Sequence, residues 1–145
     1  MSRDFRKIVA WQKADALVMT VFQATARDFP KDETYGLRSQ LRSAAVSVAA
    51  NIAEGSGLGT PAGFRRFLYQ AHGSLSEVEY YIHLAERLGY LNKETALVLS
   101  GVRSEVGRTL AGLIKATDRQ IEHLRSGDQA GLKESAMDDA SSETT

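Results

Sequence analysis

The fold is decided by residues 60–89, which read TPAGFRRFLYQAHGSLSEVEYYIHLAERLG. Apolar residues recur in this stretch at alternating spacings of four and three: Phe64, Leu68, Ala71, Leu75, Val78, Ile82 and Ala85. The repeat places all seven on one side of a helix, the pattern of left-handed bundle packing. Thr60 is a favourable N-cap, Pro61 suits the first helical position, and Gly89 can end the helix. The stretch therefore predicts one helix of a bundle.

Three further segments show helical periodicity and are separated by short breaks. The first covers about residues 9–28, the second runs from Asp32 or Thr34 to Glu54, and the last covers about residues 92–125. Short connections require consecutive helices to pack antiparallel. The sequence thus predicts an all-α protein, an antiparallel up-and-down four-helix bundle with left-handed heptad packing.

Charge and composition divide the chain into two parts. Residues 1–125 hold 17 Lys and Arg against 13 Asp and Glu, whereas residues 126–145 hold one against five. The second part also has little apolar surface to bury. We predict a four-helix bundle over residues 1–125 and a disordered acidic tail over 126–145. The modest positive charge of the first part permits nucleic-acid contact without arguing for it.

The composition also bears on where the protein works. The chain has no cysteine, which excludes disulfides and thiolate metal sites. Its polar beginning lacks the apolar run of a signal peptide. No stretch approaches the roughly 18 to 20 continuous apolar residues of a membrane span. We therefore expect a soluble, cytoplasmic protein that makes no membrane contact.

Patterns that carry catalysis or bind metals are missing from the sequence. None of the three histidines has the Glu-x-x-His spacing of di-metal bundles. His72 and Ser76 could meet on one helix face, but a polar surface pair is the favoured interpretation. The glycine-rich residues 55–59 lack the lysine and the preceding strand of a phosphate loop, so only a weak anion position before Thr60 is left. We expect no enzymatic activity, no cofactor and no metal.

Nucleic-acid binding is the main alternative to a purely structural role. The candidate residues lie toward one end of helices two and three: Arg38, Arg42, Arg65, Arg66 and Tyr69. Arginines beside an aromatic ring suit phosphate contact and base stacking. The same residues also suit a solvated face with a subunit interface, which we favour because the net charge is modest.

Polar residues on or beside the apolar seams are interpreted as structural: Asn51, Glu54 and Glu77. Asn51 continues the seam of the second helix, and a buried asparagine can fix register and association state. Glu77 adjoins Val78 and follows two small residues that allow close helix approach. We expect Asn51 and Glu77 to be at least half-buried and paired, within the chain or across a subunit interface.

The second helix has more apolar residues than one buried side requires. A second face is formed by small and apolar residues: Val46, Ala49, Ala50 and Ala53. A helix that is apolar on two sides usually has two partners. The surplus predicts burial against another copy of the protein, and therefore a homo-oligomer.

Several motifs of the chain match a known family. They are Phe5-x-x-x-Val9-x-Trp11-Gln12-Lys13-Ala14, Phe29-Pro30-x-x-Glu33-x-Tyr35-Gly36-Leu37, Gln40-Leu41-Arg42-x-Ala44-Ala45-Val46-Ser47-Val48, Asn51-Ile52-Ala53-Glu54-Gly55, Gly73-Ser74-Leu75-x-Glu77 and Leu88-Gly89-Tyr90-Leu91. In this order and spacing, over about residues 5–120, the chain resembles the bacterial four-helix-bundle proteins named for 23S rRNA intervening sequences.

The resemblance implies an up-and-down four-helix bundle assembled as a homopentamer, with no enzymatic activity. It also implies a link to the accessory protein of diversity-generating retroelements, a basic pentamer that binds nucleic acid and a reverse transcriptase. Ser43 and Leu58 stand where the family often has basic residues, which weakens the transfer of nucleic-acid binding. The expected function is a non-enzymatic pentameric scaffold. The alternative is a nucleic-acid-binding accessory protein that acts with a reverse transcriptase or RNA.

Overall fold

Four α-helices connected by short loops form the fold of the described residues. The computed structural model describes residues 3–33 and 35–142. A short 3-10 helix (Phe5–Lys7) is followed by α1 (Val9–Asp28), α2 (Leu37–Ser56), α3 (Pro61–Arg87) and α4 (Lys93–Ser142). Both α1 and α3 pack against α2 and against α4, so the four helices close around one core. The predicted all-α four-helix fold is confirmed, whereas the relative helix directions and the heptad geometry stay predictions.

The α3 helix forms where the sequence pattern placed it. The Thr60 hydroxyl accepts a hydrogen bond from the backbone N–H of Gly63 at 3.2 Å, and Pro61 is the first helical residue. All seven apolar seam residues are buried, each at most 5% exposed. Gly89 follows the helix with φ of 77°, a conformation that costs glycine little. Local capping and side-chain periodicity therefore agree at both ends of this helix.

The α2 helix begins later than the sequence predicted. Its first residue is Leu37, because Gly36 before it has non-helical backbone angles. The backbone N–H of Leu37 donates to the Glu33 carboxylate, which takes the place of an N-cap side chain. The predicted start at Asp32 is therefore wrong, since Asp32 lies in a turn. The other predicted start, Thr34, lies outside the described residues.

The α4 helix is longer than predicted and continues to Ser142. The sequence analysis ended it near Arg125 because apolar periodicity fades there. The Ala, Leu, Lys, Glu and Met residues beyond that point nevertheless have high helix propensity. Thr117 is the last buried residue of α4, and residues 122–141 are all exposed. The division of the chain into a bundle and a separate tail stays a prediction, and residues 143–145 lie outside the described part.

Candidate interaction surfaces

A chain of polar side chains joins α2 to α3 beside their apolar core contacts. The Asn51 side-chain amide donates to the backbone carbonyl and the hydroxyl of Ser47, at 2.8 and 3.0 Å. The Ser47 hydroxyl in turn lies 2.8 Å from the hydroxyl of Ser74. Asn51 is half-buried and paired, as its position on the seam predicted. Its role within the chain is to complete a hydrogen-bonded connection between two helices.

The two glutamates of the predicted polar set are placed differently from Asn51. Glu54 and Glu77 are both exposed on the single chain. Glu77 lies beside a polar groove between α2 and α3, together with Ser43, Ser74 and Tyr81. Burial of Glu77 within the chain was therefore wrong, because its helix position turns away from the core seam. Pairing of Glu77 across a subunit interface stays a prediction.

Arg38 and Arg42 are occupied by contacts with the C-terminal end of α1. One Arg38 guanidinium nitrogen donates to the backbone carbonyls of Phe29 and Pro30, at 3.3 and 2.9 Å. The Arg42 Nε donates to the Thr25 hydroxyl at 2.8 Å, and its guanidinium lies 4.5 Å from the centre of the Phe22 ring. Both arginines therefore hold α2 against α1 and offer little free charge to a polyanion.

Arg65, Arg66 and Tyr69 lie at the start of α3. The Arg65 guanidinium donates to the Asp118 carboxylate on α4 and stacks 4.9 Å from the centre of the Tyr69 ring. The hydrogen bond to Asp118 and the charge of that carboxylate raise the pKa of Arg65. Arg66 is exposed and contacts the ring of Phe67 at 5.1 Å. Of the four predicted arginines, Arg66 has the guanidinium least engaged with other helices.

The five predicted nucleic-acid residues do not form one surface. Arg38 contacts the end of α1, whereas Arg65 pairs with Asp118, far along α4. The physical reason is the short loop between α2 and α3, which places the start of α3 beside the end of α2. Arg38 therefore lies near the start of α2 and Arg65 beside its end, so the residues offered as the nucleic-acid alternative do not share one surface.

Sequence reasoning missed a charge asymmetry along the bundle. The backbone N–H of Arg3 donates to the carbonyl of Ser56 at 3.0 Å, and Arg65 pairs with Asp118, so three segments meet at one end. Residues 3–13, 54–66 and 105–125 together hold ten Lys and Arg against five Asp and Glu. The other residues of 1–125 hold seven Lys and Arg against eight Asp and Glu. We call the positive region the basic end; only the helix pairing brings its three segments together.

A small, uncharged stripe runs along the outer side of α2. It consists of Ser39, Ser43, Val46, Ala50 and Ala53, at alternating spacings of four and three. The first four of these residues are exposed, Val46 by 43%, and Ala53 is half-buried. Ala49, predicted to lie on this second face, is instead buried in the core of the chain. We call this surface the α2 outer stripe.

The remaining sequence-based site hypotheses are less supported. The Ser76 hydroxyl donates to the backbone carbonyl of His72 at 3.2 Å, which directs it to the helix backbone.

A shallow pocket before α3 is lined by Arg3, Ser56 and Thr60, where the sequence allowed a weak anion position. Within residues 3–33 and 35–142, no group of acidic or histidine side chains could hold a metal ion. In the same ranges, no helix contains an apolar stretch long enough to cross a membrane.

Comparisons with known proteins agree with the motifs. A family model described as 23S rRNA-intervening sequence protein matches residues 6–112. The chain is also similar to a crystal structure of a protein with unknown function from the S23 ribosomal protein family of Bacteroides thetaiotaomicron VPI-5482. That match has a TM-score of 0.68 and 21% sequence identity, and covers 74% of this chain and 99% of the other. At this identity it shows the fold alone. No curated protein matches the chain.

Proposed function

The chain belongs to the 23S rRNA-intervening sequence protein family, and we propose on this premise that it is a non-enzymatic homo-oligomeric scaffold, assembled as a pentamer. The α2 outer stripe is the observation that carries the proposal. A helix face exposed to water normally displays charged side chains, whereas this stripe has none. Small side chains along it allow the backbone of a second helix to approach closely. The stripe therefore has the properties of a subunit interface.

The groove beside the α2 outer stripe adds polar groups suited to the same interface. It has a volume of about 390 Å³ and is lined by hydroxyl groups together with the Glu77 carboxylate. Interfaces combine an apolar centre with a polar rim that makes directed hydrogen bonds. A neighbouring copy seated on Val46 and Ala50 would bring its own donors to Glu77. This arrangement explains why a carboxylate stands beside a stripe of small residues.

Substitution at the centre of the stripe tests the scaffold proposal. Ala50→Arg introduces a charge and a long side chain where close packing is required, so it should convert the oligomer to smaller species. Ala16→Arg is the matched control, because Ala16 is an exposed alanine on α1. Light scattering after size exclusion gives the mass of each protein. A monomeric parent, or equal dissociation by both substitutions, would contradict the proposal.

A second candidate function is polyanion binding at the basic end. Its support is the excess of positive side chains there, including the exposed Arg66, Lys115 and Arg119. Phosphate contacts by such residues supply most non-specific nucleic-acid affinity. The role would match an accessory protein that holds RNA or DNA near a partner enzyme. The 18 Lys and Arg of the whole chain are balanced by 18 Asp and Glu, which makes this the less favoured function.

An electrophoretic shift assay with RNA and DNA tests the second candidate. Binding through phosphates should weaken steeply between low and physiological salt. Lys115→Glu with Arg119→Glu should reduce binding several-fold, because both positions lie at the basic end. Arg87→Glu with Lys93→Glu changes the net charge equally at exposed positions outside that end. Equal losses from the two double variants would show that no localised site exists.

A further inference from the structure

An apolar groove lies between the start of α1 and the middle of α4, and we call it the α1–α4 groove. Its volume is about 620 Å³. Ala10, which is 2% exposed, forms part of its base, and Val9 is 54% exposed beside it. Ile8 and Leu113 are half-buried in its walls. Mostly apolar grooves of about 300 to 1,000 Å³ have the size that small molecules occupy.

The edge of the α1–α4 groove is positively charged. Arg3 and Lys7 line it, and Asp4 is the one acidic residue among its described lining residues. The Asp4 carboxylate accepts a hydrogen bond from the backbone N–H of Arg6 at 3.1 Å and lies 3.9 Å from the guanidinium of Arg6. Lys7 forms no ion pair with any residue in the described ranges. The edge therefore offers cationic groups that lack a counter-charge.

The charges that flank the groove on α4 leave this positive edge in place. Glu105 lies one helical turn before the groove residue Thr109 and is paired with Lys13 of α1. The exposed Arg108 adjoins Thr109 and adds a further positive charge. The groove consequently combines an apolar base and walls with a surplus of positive charge at its edge.

We propose that the α1–α4 groove binds a small anionic amphiphile, a carboxylate carried on an unbranched apolar chain. The chain of the ligand covers Ile8, Val9 and Leu113, and its carboxylate pairs with Lys7 and Arg3. Burial of each methylene strengthens binding by up to about fourfold. Charge-assisted hydrogen bonds to the carboxylate fix the orientation of the ligand. This binding function goes beyond the scaffold role and does not depend on oligomerisation.

Other occupants match only one half of the groove. A nucleic acid satisfies Arg3 and Lys7, but the described lining contains no aromatic ring on which a base could stack, so the apolar walls stay exposed. The α2 outer stripe of a second copy covers the apolar walls, but it carries no charge to pair with Lys7. An anionic amphiphile satisfies the walls and the edge together.

Equilibrium dialysis of the full chain against radiolabelled decanoate tests the ligand class. Unlabelled hexanoate, octanoate and decanoate should displace the label with increasing strength, by up to about fourfold for each methylene. Decyltrimethylammonium has an apolar chain of equal length and the opposite charge, so it should compete several-fold more weakly than decanoate. Absence of decanoate binding, or equal competition by the cationic amphiphile, overturns the proposal.

Matched variants locate the bound decanoate. Val9→Ser should weaken binding several-fold, whereas Val98→Ser should leave it unchanged, because Val98 is 55% exposed on α4 outside the groove. Lys7→Glu should also weaken decanoate binding several-fold and remove the preference over decyltrimethylammonium. Its control is Lys93→Glu, at an exposed position near the start of α4. Equal losses from a variant and its control place the decanoate elsewhere and overturn the assignment.

Light scattering on the same proteins separates this inference from the scaffold proposal. A monomeric parent that binds decanoate at Val9 and Lys7 contradicts the scaffold alone. An oligomeric parent that binds no decanoate contradicts the ligand site alone. If Val9→Ser also lowers the mass of that non-binding oligomer, the groove is a contact between copies.

Discussion

The hydroxyl groups of Ser47 on α2 and Ser74 on α3 lie 2.8 Å apart and form the centre of a polar connection between the two helices. Asn51 extends this connection by donating to Ser47. The buried core contacts of α2 and α3 are apolar, so they fix the alignment of the two helices less sharply than directed hydrogen bonds do. Hydrogen bonds of this kind contribute modestly to stability but restrict which register satisfies them.

Asn51→Leu should change the association of the protein more than its helix content. Leucine removes the donor to Ser47, while Ser47 keeps the hydroxyl of Ser74 as a partner. The loss in unfolding free energy should therefore stay near 1 kcal/mol. Circular dichroism at 222 nm should be unchanged, and light scattering should show an altered oligomer distribution. The register hypothesis is wrong if the variant keeps the parent mass and melts like the parent.

Gly55→Ala should destabilise the protein by about 1 to 3 kcal/mol, the usual cost of overpacking a tight contact. A Cβ at this position would lie 2.7 Å from the Cβ of Phe67 and 3.0 Å from the Phe64 ring. The start of α3 would have to move away from α2, because both nearest atoms belong to α3 and neither is the end of a flexible side chain. Urea unfolding measures the change.

The control for Gly55 is Gly112→Ala on α4. No atom lies within 4 Å of a Cβ at Gly112. Alanine has the higher helix propensity, so this variant should gain up to about 1 kcal/mol. If both glycine variants shifted the urea midpoint in the same direction, close approach at Gly55 would not explain the result.

Arg42→Ala should lower the unfolding free energy by about 1 kcal/mol. The substitution removes a cation–π contact with Phe22 and a hydrogen bond to Thr25, both on α1. Arg66→Ala is the control, because Arg66 is exposed and its replacement should change stability by less than about 0.5 kcal/mol. The opposite order should hold for polyanion binding, measured by gel shift. Stronger loss of binding from Arg42→Ala would return Arg42 to the candidate site.

The ion pair between Lys13 on α1 and Glu105 on α4 should make stability depend on acid pH. The hydrogen bond from Lys13 and then its charge lower the pKa of Glu105 below 4.5. This contribution is complete above the unfolded pKa and is lost as the pH falls through the lower folded pKa. Parent and Lys13→Met should therefore differ most at neutral pH and converge in strong acid.

Two measurements check the Glu105 prediction. Urea unfolding at a series of pH values gives the convergence of parent and variant. An NMR titration of the Glu105 carboxyl gives its pKa directly, and Lys13→Met should return that pKa toward 4.5. An unchanged Glu105 titration in the variant would show that Lys13 is not the cause.

The candidate surfaces were only partly predictable from the sequence. The position of Asn51 on an apolar seam correctly indicated a half-buried polar group, because seam spacing fixes which helix side a residue occupies. Arg38 and Arg65 were grouped wrongly, because both stand near helix starts and the sequence does not show that the start of α3 lies beside the end of α2. Glu77 was predicted to be at least half-buried and is exposed, whereas Ala49 was predicted on the outer face and is buried. Side-chain spacing does not resolve the small rotation about a helix axis that separates these outcomes.

The sequence by itself determined the number of helices, the buried side of α3 and the caps at its two ends. These features depend on side-chain spacing and on backbone preferences within a few residues. The tertiary structure alone decided which charges share a surface and which arginines are engaged by other helices. It also decided where an apolar groove stays open between the start of α1 and the middle of α4. Those properties depend on contacts such as Arg65 with Asp118, between residues far apart in the chain, and periodicity within one helix does not encode them.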